Sequence, residues 1–294
     1  MIQRWSARIV TLYLRRTTAY EPIRRCPFSN EIATGNLIPL CRNHHKVIDA
    51  QELEYTVERL HQMKAGHESW VRKQLEFDEA KQFDDEQYAG MIDTWERLAH
   101  VDEWQGWTSY VLGGGQPSIA AEVFQNLGEL RTWLLNRVWP GRYPELESAF
   151  QNFRRVLSDF HEKFHSQAEA VGTNKEELMT RKFYQIPEWD PERYEKLSKR
   201  YDFHVDLVED LMLELTRAAN LVADRVRQHL ISSYRLAKGR LVVEYGPLTH
   251  GGFCQIVVQY GAEERNRSSP YPGLDAFLTE RAQRDHHFGD GTEP

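Results

Sequence analysis

The feature that most constrains this chain is a single long helical pattern that opens at Asp190-Pro191. Leu197, Tyr201, His204, Val205, Val208, Leu211, Leu215, Ala218, Val222, Val226 and Leu230 recur at three- and four-residue intervals. That spacing lays one apolar stripe along an α-helix. Asp is a favoured cap and Pro a favoured first helical residue, so the start is marked in the sequence. So long a stripe must be buried against other helices. The preceding sequence offers partners: Tyr88 to Ala99, a segment over 118–138 (Ile119, Phe124, Leu127, Leu134) and one over 144–170 (Leu146, Phe150, Phe153, Val156, Phe160, Phe164). A Gly113-Gly114-Gly115-Gln116-Pro117 turn separates the first two. The expected class is mainly α, with an antiparallel helical bundle.

After Gly239 the period shortens to that of strands. Residues 241–245 and 253–260 read as a small C-terminal β-hairpin joined through Gly246-Pro247 and Gly251-Gly252. Near the start, residues 5–14 lean to a strand by their β-branched and aromatic content. Residues 20–35 carry loop punctuation, 36–40 are a short apolar strand, and a helix opens near 41. Thr56 caps a further helix with Val57, Leu60, Met63, Trp70, Val71 and Leu75 along one stripe.

Composition excludes some classes. No apolar run is long enough to cross a bilayer, so no membrane association is expected. Arginines interrupt the apolar start, which does not read as a signal peptide. Three scattered cysteines make no disulfide framework, and a reducing cytoplasm is the expected location. The net charge is −7, unevenly spread. Residues 1–50 hold eight Arg or Lys against three acids, a net of +5, which leaves −12 on the remainder. A basic head on an acidic body suits a local polyanion site, with Arg24, Arg25, Arg42 and Lys46 as its nucleic-acid-binding candidates.

The chemistry-bearing motif is Asn36-x4-Cys41-x-x-His44-His45-x3-Asp49, at the junction of strand and helix. Cys and His there are soft and borderline metal ligands. The pattern resembles the second half of the HNH endonuclease motif, the ββα-metal finger. The continuation Lys46-Val47-Ile48-Asp49 and the later Leu60-His61-Gln62-Met63 are similar to that family's helical follow-on. The resemblance covers about residues 20–70. It implies DNA as partner and metal-dependent hydrolysis of its phosphodiester bonds. It makes His45 the ligand of a catalytic divalent ion (Mg²⁺ or Mn²⁺) and Asn36 the residue that orients a base histidine. Cys41 and His44 would be half of a structural Zn²⁺ site. A divalent ion stabilises the phosphoryl and leaving oxygens without a proton.

This chain departs from the family pattern. Residues 1–35 contain no histidine, so the expectation is that either the chain has lost its true N-terminal part or this copy cannot cut DNA. The zinc half-site lacks a Cys-x-x-Cys partner, with only Cys26 nearby.

The expected layout is a finger with its following helix over 1–75, a charged linker over 76–87, the bundle and hairpin over 88–260, and a polar mobile tail over 261–294. Fusions of this kind resemble bacterial nuclease effectors of defence systems. The alternative function is a non-enzymatic interaction or regulatory protein, its finger degenerate and its bundle binding a protein partner or a second copy. A third reading is a zinc peptidase, from His161-Glu162-Lys163-Phe164-His165, which matches H-E-x-x-H. Phe160 and Phe164 continue the core stripe there, so both histidines are more simply explained by packing.

Overall fold

A computed structural model describes residues 8–11, 37–51, 53–75, 78–246, 251–267 and 269–293. The chain divides into two compact units, Met1–Asp78 and Glu79–Pro294. The class is mainly α, with small antiparallel sheets.

In the first unit, β1 (Arg8–Thr11) pairs antiparallel with β2 (Leu37–Leu40), Arg8 opposite Leu40 and Thr11 opposite Leu37. The helix α1 (Arg42–Ala50) starts one residue after β2 and packs on both strands. Then α2 (Val57–Leu75) follows. The Thr56 hydroxyl accepts the Arg59 N–H at 3.3 Å, the expected cap. Leu60 is buried, whereas Met63 and Trp70, placed on the same predicted stripe, are more than half exposed. The loop expected over 20–35 lies outside the described residues.

The second unit runs α3 (Glu79–Leu98), α4 (Trp104–Val111), β3 (Ser118–Ala120), α5 (Ala121–Leu135), α6 (Pro144–Gln167), β4 (Ala168–Val171), β5 (Glu177–Thr180), α7 (Pro191–His229), β6 (Val243–Tyr245), β7 (Cys254–Ile256), α8 (Ala262–Arg265) and α9 (Leu274–Glu280). The broadest packing is α6 on α7. On α6, residues Leu146, Phe150, Phe153, Val156, Leu157, Phe160 and Phe164 are fully buried, as their spacing requires. Trp95 inserts edge-on between Phe150 and Phe153. Asp190 caps α7 by accepting the Arg193 N–H at 3.0 Å, and Pro191 takes the first turn. The C-terminal hairpin forms, with Val243 opposite Ile256 and Tyr245 opposite Cys254, but its strands are three residues each.

Several expectations need correction. The segment 118–138 opens as strand: Ile119 is buried opposite Leu178 on β5, and the helix begins only at Ala121. The segment 144–170 ends its helix at Gln167, and Ala168–Val171 turns back on β5 through Gly172, whose φ of 90° suits glycine. Residues 79–87 of the supposed linker are the first half of α3. They are tied to the bundle because Arg142 pairs with Asp84 at 2.6 Å and the Tyr143 hydroxyl donates to Asp85 at 2.7 Å.

The segment expected to be a mobile tail packs on the bundle over its described residues, 261–267 and 269–293. Tyr271, Phe277 and Arg281 are buried. The cause lies in α7, which is buried without interruption from Leu207 to Ala223 and carries Glu209, Asp210, Glu214, Arg217 and Asn220 inside. Buried charges and amides need partners; Glu214 and Arg217 pair with each other one turn apart, and the C-terminal segment supplies further partners to Asp210, Glu214 and Arg217. Asp210 accepts the N–H groups of Phe288 (2.7 Å) and Gly289 (3.2 Å) and pairs with Arg281 at 3.2 Å. Arg284 reaches Glu214 at 3.0 Å, and Arg217 reaches Asp285 at 2.7 Å. Asn220 donates to the carbonyls of Leu241 and Val258, both at 3.1 Å, and accepts from Leu241 N–H at 3.0 Å. Among the described residues no helix is long and apolar enough to cross a membrane.

Candidate functional site

The motif sits where β2 hands over to α1. Cys41 is the N-cap, its backbone extended, and its carbonyl accepts the His45 N–H at 3.0 Å. The Cys41 thiol lies 3.1 Å from His44 Nδ1. The neighbouring His44 N–H, then the His44 ring, then the Asn43 N–H hold that thiol below its ordinary range. A low thiol pKa favours the thiolate, which is the form that ligates metal.

One turn of helix places His45 and Asp49 on the same face. His45 Nδ1 lies 2.7 Å from Asp49 Oδ2. A carboxylate on one imidazole nitrogen fixes the ring and directs the other nitrogen, here Nε2, outward as the ligating atom. The His45 side chain is 29% exposed and Asp49 59%, so this face opens to solvent. His44 and Lys46 are exposed on the same short helix. Arg42 belongs to the first turn of α1. Asn36, Arg24 and Arg25 lie outside the described residues, as does Cys26.

The donor set is short. Among the described residues no group of three or more His, Cys, Asp or Glu side chains converges in a way that would hold a metal ion. His45 offers one nitrogen. That is compatible with a hard divalent ion that keeps most of its waters and takes oxygens from substrate phosphate. Structural zinc needs four ligands, and the described residues offer Cys41 and His44 alone, already bonded to each other.

The H-E-x-x-H segment lies on α6 and packs inward. The His161 ring stacks on Phe124 with centroids 4.0 Å apart and planes 13° apart. Desolvation there, with Arg131 and His165 nearby, depresses its pKa to about 4. Gly128 gives it room, since a Cβ at 128 would meet His161 Nε2 at 3.1 Å. Glu162 and His165 are exposed. The pair therefore behaves as core lining on one side and solvated surface on the other. The tryptophans of 95–139 serve packing likewise: Trp95, Trp104 and Trp107 are buried.

Sequence reading overlooked a second basic feature. Residues 225–240, the end of α7 and the turn after it, hold five Arg or Lys and no acid. The count was available in the sequence, but the grouping only gains meaning once acids from distant elements are seen around it. No family model, curated protein or solved structure matches this chain.

Proposed function

We propose that the N-terminal unit is an HNH-type ββα finger and that the chain acts on DNA phosphodiester bonds through a divalent ion held at His45. The observation that carries this reading is the order of elements around the motif. An antiparallel strand pair leads through one capping residue into a helix whose first turn presents His45, with Nδ1 engaged by Asp49 and Nε2 left for a ligand. When bound, the ion would stabilise charge on the phosphoryl and leaving oxygens. Asp49 keeps the imidazole oriented. Lys46, exposed one residue on, attracts the phosphate backbone in a salt-dependent way. Asn36, one residue before β2, is assigned the orienting role.

A second reading is favoured by one specific fact: residues 1–35 contain no histidine to act as base. On that reading the finger binds DNA without cutting, and the helical unit regulates or recruits a partner. Plasmid nicking with Mg²⁺ and with Mn²⁺ separates the two. The nuclease reading expects ion-dependent nicking that His45→Ala abolishes. Binding of a DNA duplex with no nicking above background supports the second reading. Equal nicking by the full chain and by His45→Ala removes His45 from the chemistry.

A further inference from the structure

The basic strip at residues 225–240 sends Arg235, Lys238 and Arg240 into one cavity of about 500 Å³, shared with Asp102, Trp104 and Gln105. All of these residues belong to the second unit. The acids near them are too few. Asp102 serves two of the cations, with Arg235 Nη1 at 3.0 Å and Lys238 Nζ at 2.7 Å. The carboxylate nearest Arg240 is Asp224, at 3.9 Å, beyond hydrogen-bonding distance. Asp224 is itself engaged by Arg227 and by Arg265. The cavity wall therefore carries three positive charges against one negative.

Arg235 is the unusual member. Its backbone is left-handed, with φ at 53°, a conformation costly to residues with a Cβ. Its side chain is only 8% exposed, and its Nε is buried without a hydrogen-bond partner. A buried guanidinium donor left idle is a standing cost to the fold.

We propose that this cavity binds a dianionic phosphate monoester. Arg240 and Lys238 grip the phosphoryl oxygens, and Arg235 adds its positive charge to the cavity wall. The surplus of two positive charges matches a dianion. The planar fork of a guanidinium matches paired phosphate oxygens. The cavity exceeds a bare phosphate group, leaving room for the organic part of the ester. This site is independent of the reading of the N-terminal finger.

The test is calorimetric titration of the full chain with AMP, inorganic phosphate and adenosine. The expected result is saturable binding of AMP, weaker saturable binding of inorganic phosphate and none of adenosine. Arg240→Gln and Lys238→Gln, both at substantially exposed positions, should each weaken AMP by about tenfold, the loss of one charge-assisted contact, with unchanged helical circular dichroism. Arg267→Gln, at a different arginine-lined cavity, should leave AMP binding intact. Four results would overturn the proposal: no saturable binding of AMP, binding of AMP no tighter than of phosphate, binding unchanged in both cavity variants, or a loss that follows Arg267→Gln instead.

Discussion

Asn220 makes three hydrogen bonds with one buried amide, holding the backbone at Leu241 and Val258 against α7. Asn220→Leu would keep the volume and strand three backbone groups. The expected loss is about 3 kcal/mol, within the range for orphaned buried polar groups, read as a lower urea midpoint at unchanged slope. Glu209 behaves differently. It is 5% exposed, and desolvation, reinforced by Asp206 and Asp210, pushes its pKa from 4.5 up to about 8. The folded chain thus holds this proton more tightly than the unfolded chain. Its stabilising contribution is complete below about pH 4.5 and is lost as pH rises through about 8. His161 and His204 carry the opposite sign. Desolvation lowers both from 6.5 to about 4, so their contribution is present above 6.5 and is lost as pH falls. Between about pH 8.5 and 6.5 the Glu209 effect dominates, with a slope of at most about 1.4 kcal/mol per pH unit. The melting temperature should rise by several degrees on acidification across that interval, and Glu209→Gln should flatten the rise. A melting temperature independent of pH in the parent chain would rule out a protonated Glu209.

Among elements, α7 shows what periodicity can and cannot convey. The cap at Asp190-Pro191 and the apolar stripe are local features, and the structure places both as the spacing requires. Asp190→Ala should cost about 1 kcal/mol, measured by denaturant unfolding. The opposite face reads as ordinary solvated charge: Glu214 and Arg217 form a pair one turn apart, as surface residues commonly do, and Asp210 reveals no partner within helical reach. The groups that bury Asp210, Glu214 and Arg217, namely Arg281, Arg284, Asp285 and the Phe288 amide, are some seventy residues distant. The strands β3, β4 and β5 escaped notice for a related reason. Each is three or four residues long, too short for alternation to register, and β3 finds β5 across the whole of α5 and α6. At the motif, the strand–helix junction and the His45–Asp49 spacing were legible because both are local. The left-handed turn at Arg235 was not, since only the packing of α4 and the C-terminal hairpin makes a cavity of it.

For the whole molecule, the division at Asp78 and Glu79 has a direct consequence. Every residue of the main buried cluster, from Tyr88 to Phe277, lies in the second unit. A chain of residues 79–294 alone should therefore unfold in one cooperative step with near-UV circular dichroism as sharp as that of intact protein. Removal of residues 262–294 should abolish that step, because it takes Tyr271 and Phe277 out of the core and strips Asp210 of Arg281 and Glu214 of Arg284. A sharp transition surviving the truncation would show that the C-terminal segment is dispensable.

The pairing of Asp210 with the Phe288 amide spans 78 residues. A ribosome must therefore translate that far beyond the middle of α7 before the helix can be enclosed. Until then, a segment rich in carboxylates and guanidinia stays hydrated, and the hydrophobic face behind it stays accessible to chaperones. Closure of the second unit is thus a late, concerted event in biosynthesis, and a nascent chain stalled short of residue 281 would be a substrate for quality control.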